Sequence, residues 1–225
     1  MNLWEAMKAR HSVRSYTDRK IEGDVLAELR QVISDCNEES RLHMQLCLDE
    51  PGAFSGMLAR YGRFVNVRNY IALVGKQGDD LDEKCGYYGE KIVLKAQQLG
   101  LNTCWVAVSF SKAKCRAALS LNPDERLRMV IALGYGKNDG SPRRTKSIKA
   151  LSKAEGVLPG WFRKGMEAAQ LAPTARNQQR FKFILTDDIV HASAGSGFYT
   201  KVDLGIAKYH FEAGASDSGW KWAEA

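Results

Sequence analysis

Two short stretches carry the residue types best suited to holding a charged, hydrogen-bonding ligand. The first is Arg10-His11-Ser12-Val13-Arg14-Ser15-Tyr16. Two guanidinium groups and a hydroxyl follow one another closely, and arginine forks match phosphate oxygens in a bidentate way. The same cluster would also suit a solvated surface or the end of a helix. The second is Ala172-Pro173-Thr174-Ala175-Arg176-Asn177-Gln178-Gln179-Arg180-Phe181. Here three carboxamides stand in a row between apolar neighbours. A carboxamide donates and accepts at once, so such a row suits a ring edge with alternating donors and acceptors. A polar turn between helix and strand would use the same residues. Pro142-Arg143-Arg144-Thr145-Lys146 adds a second basic cluster, of which a charged connection is the plainer account.

Other chemistries find less support. The five cysteines, Cys36, Cys47, Cys85, Cys104 and Cys115, include no Cys-x-x-Cys pair and read as buried free thiols. Cys104 lies in an apolar segment with nothing nearby to mark it as a low-pKa nucleophile. His11, His43, His191 and His210 show no metal-ligand spacing, and no Gly-x-Ser-x-Gly elbow occurs. Gly134-Tyr135-Gly136 is not a dinucleotide fingerprint, because no third glycine follows in register.

The elements that must position these residues follow from hydrophobic periodicity. Short helices are expected at Leu3 to Ala9, delivering Arg10, and at Glu22 to Cys36. Residues 38–62 are mixed, broken at Pro51-Gly52. Tyr70 to Gly75 is a buried strand candidate, and Gln77 to Glu83 is turn-like. Gly86 to Leu99 reads as a helix capped by Gly100, followed by an apolar segment from Leu101 to Val108. Met129 to Gly136 is a second strand. Lys137 to Lys149 looks like a surface connection. Beyond it come a helix at Trp161 to Leu171, a strand at Arg180 to Leu185 and a helix at Lys201 to Ala213. Tyr88 to Ala96 and Val202 to Ala213 are similar amphipathic helices, a faint internal echo that two unrelated helices could also produce. Strands alternating with helices, with few hairpin signals, predict an α+β or α/β sandwich.

The chain has 225 residues, 44% hydrophobic and 26% charged, an ordinary globular balance with room for a substantial core. Its formal charge of +7 favours anionic ligands, although a lysine-rich surface is the usual cause. No aromatic-rich basic cluster marks a nucleic-acid surface. The N-terminal stretch lacks the apolar core of a signal peptide, and no apolar run approaches the roughly 20 residues of a membrane span. A soluble, cytoplasmic protein with neither nucleic-acid nor membrane partners is expected.

Taken together, the two segments resemble the FMN-binding elements of the nitroreductase family, in an unusual order. In that family an Arg-x-Ser-x-Arg/Lys motif is normally followed closely by a Pro-Ser-x-x-Asn-x-Gln-Pro-Trp-like element. Here the second element stands in the far half of the chain, and Arg180-Phe181 replaces Pro-Trp. The resemblance implies that Arg10 and Ser12 hold the FMN phosphate, with His11 beside them, and that Arg14 lies near flavin N1 and the C2 carbonyl. Leu99-Gly100-Leu101 is similar to a family segment whose following backbone passes the dimethylbenzene ring and N5, which implicates Trp105, Val106, Ala107 and Val108. Arg144 and Lys146 would match the family's terminal phosphate-binding pair. Pro173, Thr174, Ala175, Asn177 and Gln179 would match the element that ordinary members receive from the partner subunit of an obligate dimer.

The implied fold is a nitroreductase-like α/β sandwich of α+β class, a mixed sheet flanked by helices, in a pseudo-dimeric single chain. Residues 1–150 would form one FMN-binding half. Residues 151–225 would form a smaller half completing the flavin site in cis. The implied activity is an FMN-dependent oxidoreductase. Hydride would pass from NADH or NADPH to flavin N5 and on to a nitroaromatic, quinone or similar small substrate by ping-pong kinetics, without a catalytic side chain. Trp105, Phe54, Tyr61 or Phe198 would wall the substrate face. The alternatives are a flavin-sequestering protein without turnover and an oxygen-using flavin enzyme of the same fold. A monomer is favoured over a domain-swapped dimer.

Overall fold

The computed structural model describes residues 1–215 and 219–223. In chain order its elements begin α1 (Leu3–Ala9), α2 (Gly23–Ser40), β1 (Gln45–Cys47), α3 (Met57–Tyr61), β2 (Asn69–Lys76), α4 (Leu81–Gln98), β3 (Asn102–Val106), α5 (Lys112–Ala117) and β4 (Glu125–Gly134). They continue with α6 (Ile148–Leu151), β5 (Ser152–Ala154), α7 (Gly160–Ala169), β6 (Phe181–Thr186), β7 (Ile189–Ala194), α8 (Thr200–Ala215) and β8 (Lys221–Trp222). The chain is an α+β protein that divides into two compact units. The first comprises Met1, Ala9–Leu81 and Lys91–Pro142; the second comprises Asn2–Lys8, Asp82–Glu90 and the chain from Arg143 onward.

The first unit is built on a wholly antiparallel sheet in the order β1-β2-β4-β3. The apolar run from Tyr70 to Val74 is buried on both faces, as expected of a central strand. One face of this sheet, carrying Tyr70, Ala72, Val74, Val130 and Ala132, packs with Ala53, Phe54, Ala59, Phe110 and Cys115. β4 begins earlier than its apolar run suggests and ends before Gly136. Glu125 and Arg126 pair with Lys76 and Gly75 of β2, so the charged residues extend the ladder. In α2 the buried positions Leu29, Ile33, Cys36 and Ser40 follow helical spacing and carry the helix one turn past the expected end at Cys36. Ion pairs from Lys91 to Glu39 and Lys95 to Glu28 tie the second half of α4 to α2. All five cysteines are free and buried.

The second unit has its own sheet, in the order β5-β6-β7-β8, and this one is mixed. β5 and β8 run parallel to their neighbours, whereas β6 and β7 form an antiparallel hairpin. That hairpin was not signalled in the sequence. Its two-residue turn is Asp187-Asp188, and Asp187 takes the left-handed conformation (φ 54°) that glycine or asparagine would advertise more plainly. α7 and α8 cross closely: a Cβ on Gly165 would lie 2.7 Å from the Phe211 ring, and one on Gly214 2.6 Å from Ala168. Phe211 also stacks on Phe183 at 5.0 Å and meets Phe162 edge-on at 5.4 Å.

α4 starts at Leu81, not at Gly86, because Asp82 and Glu83 suit a first helical turn and Gly86 is an interior contact point. A Cβ on Gly86 would sit 2.1 Å from the Val202 carbonyl oxygen and 3.1 Å from the Ile206 nitrogen. A Cβ on Gly205 would sit 2.0 Å from the Glu83 carbonyl oxygen and 2.8 Å from the Tyr87 nitrogen. The first half of α4 and α8 therefore touch backbone to backbone. Each glycine meets the residues three before and one after the other glycine. Among the described residues no helix is long and apolar enough to cross a membrane.

Candidate functional site

In the first unit the Arg10–Tyr16 segment is strung along the ends of β3 and β4. Val13 N–H donates to the Thr103 carbonyl at 3.0 Å, and Ser12 bridges Thr103 in parallel fashion. Farther along, Tyr16 N–H donates to Val65, Thr17 N–H to Tyr135 and Lys137 N–H to Ser15. The Tyr16 hydroxyl, buried, donates back to the Val13 carbonyl at 2.7 Å. These bonds fix a stretch that has no secondary structure of its own.

Two glycines let the chain after β4 press on this segment. A Cβ on Gly136 would lie 3.0 Å from Val13, and one on Gly140, whose φ is +76°, would lie 2.7 Å from His11 and 3.2 Å from the Ser12 carbonyl. Arg10 is buried, His11 and Ser12 are half-buried, and Arg14 is exposed, its guanidinium 6.0 Å over the Phe64 ring. A row from buried to exposed cationic groups with a hydroxyl between them can hold a phosphate-bearing ligand. The structure brings this row against Thr103 and Cys104, which lead into the expected Trp105–Val108 stretch. Of those four, Val106 is buried, Trp105 and Ala107 are half-buried, and Val108 is exposed. Burial pushes the Cys104 thiol up, against the lowering effects of Arg14, the Ser12 hydroxyl and Arg10, so it stays a thiol at neutral pH.

In the second unit the basic pair and the carboxamide row are bonded to each other. The Gln179 side chain, buried, accepts from Lys146 N–H at 2.7 Å and donates to the Arg144 carbonyl at 3.1 Å. Asn177 donates to the same Arg144 carbonyl at 2.8 Å and accepts from Gln179 at 3.1 Å. The Lys146 ammonium donates to the carbonyls of Gln178 and Gln179, each at 2.9 Å. Gln170 donates to the Lys146 carbonyl at 2.6 Å. Residues 143–150 group with the second unit for this reason. Gln179 works as an internal clamp with both ends of its amide occupied. Exposed Asn177 keeps a second lone pair and a second N–H for a ligand.

The turn that carries these amides is held in an uncommon backbone state. Arg176 (φ 52°), Asn177 (φ 55°) and Gln179 (φ 46°) are all left-handed. Each such residue costs about 1 kcal/mol or more, and strain of this kind collects at functional sites. Buried Pro173 leads into the turn, and Thr174 accepts from Gln179 N–H at 3.0 Å. Ala175 N–H donates to Asp203 of α8 at 2.8 Å, and the Gln178 side chain donates to the other Asp203 oxygen at 2.7 Å. Asp203 and Gly140 were not marked as site residues in the sequence, and Gly136 was noted only in a rejected dinucleotide fingerprint. An aspartate early in an amphipathic helix looks like a solvated residue, and glycines in a basic loop look like turn formers.

The family described as "Putative TM nitroreductase" matches residues 2–215, and the chain belongs to it. A Thermotoga maritima structure titled "putative nitroreductase" is 26% identical, covers 94% of this chain and 82% of its own, and superposes with a TM-score of 0.64. A Desulfovibrio desulfuricans structure, titled as a putative nitroreductase in complex with FMN, is 19% identical over 67% of this chain and 95% of its own, with a TM-score of 0.51. A Parabacteroides distasonis structure, titled "Putative NADH dehydrogenase/NAD(P)H nitroreductase", is 21% identical over 67% of this chain and 97% of its own, with a TM-score of 0.54. The last two share the fold. No curated protein matches.

Proposed function

We propose that the protein is an FMN-dependent oxidoreductase that takes hydride from NADH or NADPH and reduces a small nitroaromatic, quinone or similar oxidised substrate. The observation that carries this reading is the fixed Arg10-Ser12-Arg14 row, pinned by Thr103 and pressed by Gly136 and Gly140. Membership of the nitroreductase family supports it, as do fold relatives described as a putative nitroreductase in complex with FMN and as a putative NAD(P)H nitroreductase.

The donor set fits FMN. Arg10 and Ser12 supply charged and neutral donors for its phosphate, with His11 alongside, and Arg14 supplies a cation for the pyrimidine edge. Arg144 and Lys146 match the family's phosphate-binding basic pair, and Lys146 retains its third N–H donor beside two occupied ones. Trp105, Val106, Ala107 and Val108 line the ring with backbone and apolar surface. Asn177 reads the donor–acceptor edge. Pro173, Thr174, Ala175 and Gln179 hold Asn177 and the basic pair in place. When bound, FMN supplies the hydride chemistry, and the protein supplies position and electrostatics. A guanidinium at Arg14 favours negative charge at N1. No acid or base side chain is required.

The test is the visible spectrum of the purified protein, followed by anaerobic titration with NADH and NADPH. A yellow protein that binds FMN in preference to FAD and riboflavin and is bleached by either nicotinamide is expected. Equal affinity for FMN and riboflavin would remove the phosphate assignment. Tight FMN binding without reduction would leave a flavin-sequestering protein in place of a reductase.

A further inference from the structure

The Asp203 carboxylate is the hub of the second unit's strained turn. It is 3% exposed. One oxygen accepts from Ala175 N–H, and the other accepts from the Gln178 side-chain nitrogen. That nitrogen also donates to the Phe198 carbonyl at 3.0 Å. A carbonyl only accepts, so the Gln178 atom facing both partners is the amino group. A backbone N–H only donates. Both Asp203 oxygens must therefore accept, which the ionised carboxylate does with both oxygens alike, whereas an amide at this position has only one accepting atom.

What the carboxylate joins is unusual on both sides. On one side is the turn with left-handed Arg176, Asn177 and Gln179. On the other is the loop from Gly195 to Tyr199. The loop is held by the Arg180 guanidinium on the Ser196 carbonyl and by Gly195 N–H on the Arg180 carbonyl, at 2.5 and 2.6 Å. Tyr199 is left-handed (φ 61°). This clamped loop presents Phe198 with 87% of its surface exposed. A core-forming loop would bury such a ring; a loop that displays one suits stacking on a flat ligand.

We propose that Asp203 is a positioning residue for the flavin site: its ionised carboxylate ties the carboxamide turn to the Phe198 loop, so that the Asn177 amide and the Phe198 ring are presented together. The inference rests on the FMN reading above. Burial pushes the Asp203 carboxyl up to about 6, against the lowering effect of its two donors, so the carboxylate is ionised at pH 8. The charged residues on the elements it joins are Arg176 and Arg180. Those on its own helix are Lys201, Lys208, His210 and Glu212, and Glu83 and Lys84 lie on the neighbouring turn of α4. Arg180 is engaged with Ser196, and Lys208 pairs with Glu83 at 2.7 Å.

The test compares the full-length parent with Asp203→Asn and Gln178→Ala at pH 8. Amide hydrogen-exchange protection of residues 174–179 and 195–199 is read without flavin, and affinities for FMN and riboflavin are read in parallel. Riboflavin is included because it lacks the phosphate, so a loss shared by both flavins reports contacts to the ring. In both variants protection of the two segments is expected to fall together, and FMN and riboflavin are expected to bind about tenfold more weakly than to the parent. Unchanged protection, or unchanged flavin affinity, in both variants overturns the proposal. A parent that binds neither flavin, with the coupled loss of protection still seen in the variants, overturns the FMN reading and leaves the Asp203 tie standing as a feature of the apoprotein.

Discussion

Arg14 and Asp203 make different kinds of contribution, and each can be read separately. Arg14 is exposed and is held by its backbone, through Val65 N–H on its carbonyl at 2.8 Å, so its side chain is dispensable for folding. Arg14→Ala is expected to leave thermal stability unchanged. It should lower the midpoint potential of bound flavin by roughly 30 mV or more, which for two electrons is about 1.4 kcal/mol. Arg14→Lys should keep part of the effect, since charge survives but the planar fork does not. An unchanged potential in the alanine variant, measured by dye equilibration, would place the guanidinium away from N1. Asp203 carries a linkage signature in the unliganded protein. Its folded pKa of about 6 exceeds the ordinary 3.8, so the folded state binds the proton more tightly than the unfolded chain. The group therefore favours folding most below the unfolded value and loses that contribution as pH rises through the folded one. Urea unfolding between pH 7 and 4 should show the parent gaining up to about 1.4 kcal/mol per pH unit over Asp203→Asn as pH falls below about 6. A buried charge kept at a cost to stability is what a positioning role would retain.

At the scale of elements, the helix contact through Gly86 and Gly205 holds the first half of α4 to α8 within the second unit. Either glycine replaced by alanine would drive a Cβ to about 2 Å from a backbone carbonyl, which side-chain adjustment cannot relieve. Gly86→Ala and Gly205→Ala are each expected to destabilise by about 1–3 kcal/mol or more, the range of overpacked cores. Gly156→Ala is the informative contrast: no atom lies within 4 Å, but φ is +74°, so only backbone strain is added. Denaturant midpoints of the three variants check the order. The sequence made much of this architecture legible. The runs at Tyr70–Gly75 and Met129–Gly134 form the central strands β2 and β4, and the helices at 3–9, 160–169 and 200–215 stand close to where periodicity put them. The charged start of β4 and the Asp187-Asp188 hairpin were hidden because strand pairing and a left-handed aspartate overrode local propensity. For the candidate site the sequence marked residue types more than roles. Arg10, Ser12, Arg144, Lys146, Asn177 and Gln179 were all marked. That Gln179 would spend its amide on Arg144 and Lys146 was not readable, because a carboxamide binds ligand and backbone with the same atoms.

At the scale of the whole chain, the matching offsets around Gly86 and Gly205 support the proposal that this is a fused relative of a two-chain ancestor. An isologous contact places residue i on j and j on i, and here each glycine meets the partner glycine's positions −3 and +1. Both groups of candidate flavin ligands reside in one polypeptide, Arg10 to Arg14 in the first unit and Asn177 to Gln179 in the second. One FMN per chain in a monomer is therefore expected. A chain ending at Ala150 should bind no FMN, because it lacks Asn177 and the Gln179 clamp on Arg144 and Lys146. It also lacks α8, whose backbone covers Gly86. Sedimentation equilibrium over a hundredfold dilution, with flavin absorbance recorded beside protein absorbance, separates the outcomes. A constant ratio of one flavin per monomeric mass supports a ligand set supplied by a single chain. A dimer whose flavin content falls as it dissociates would mean that residues 151–225 serve a neighbour, as in a domain swap, and the single-chain proposal would be abandoned.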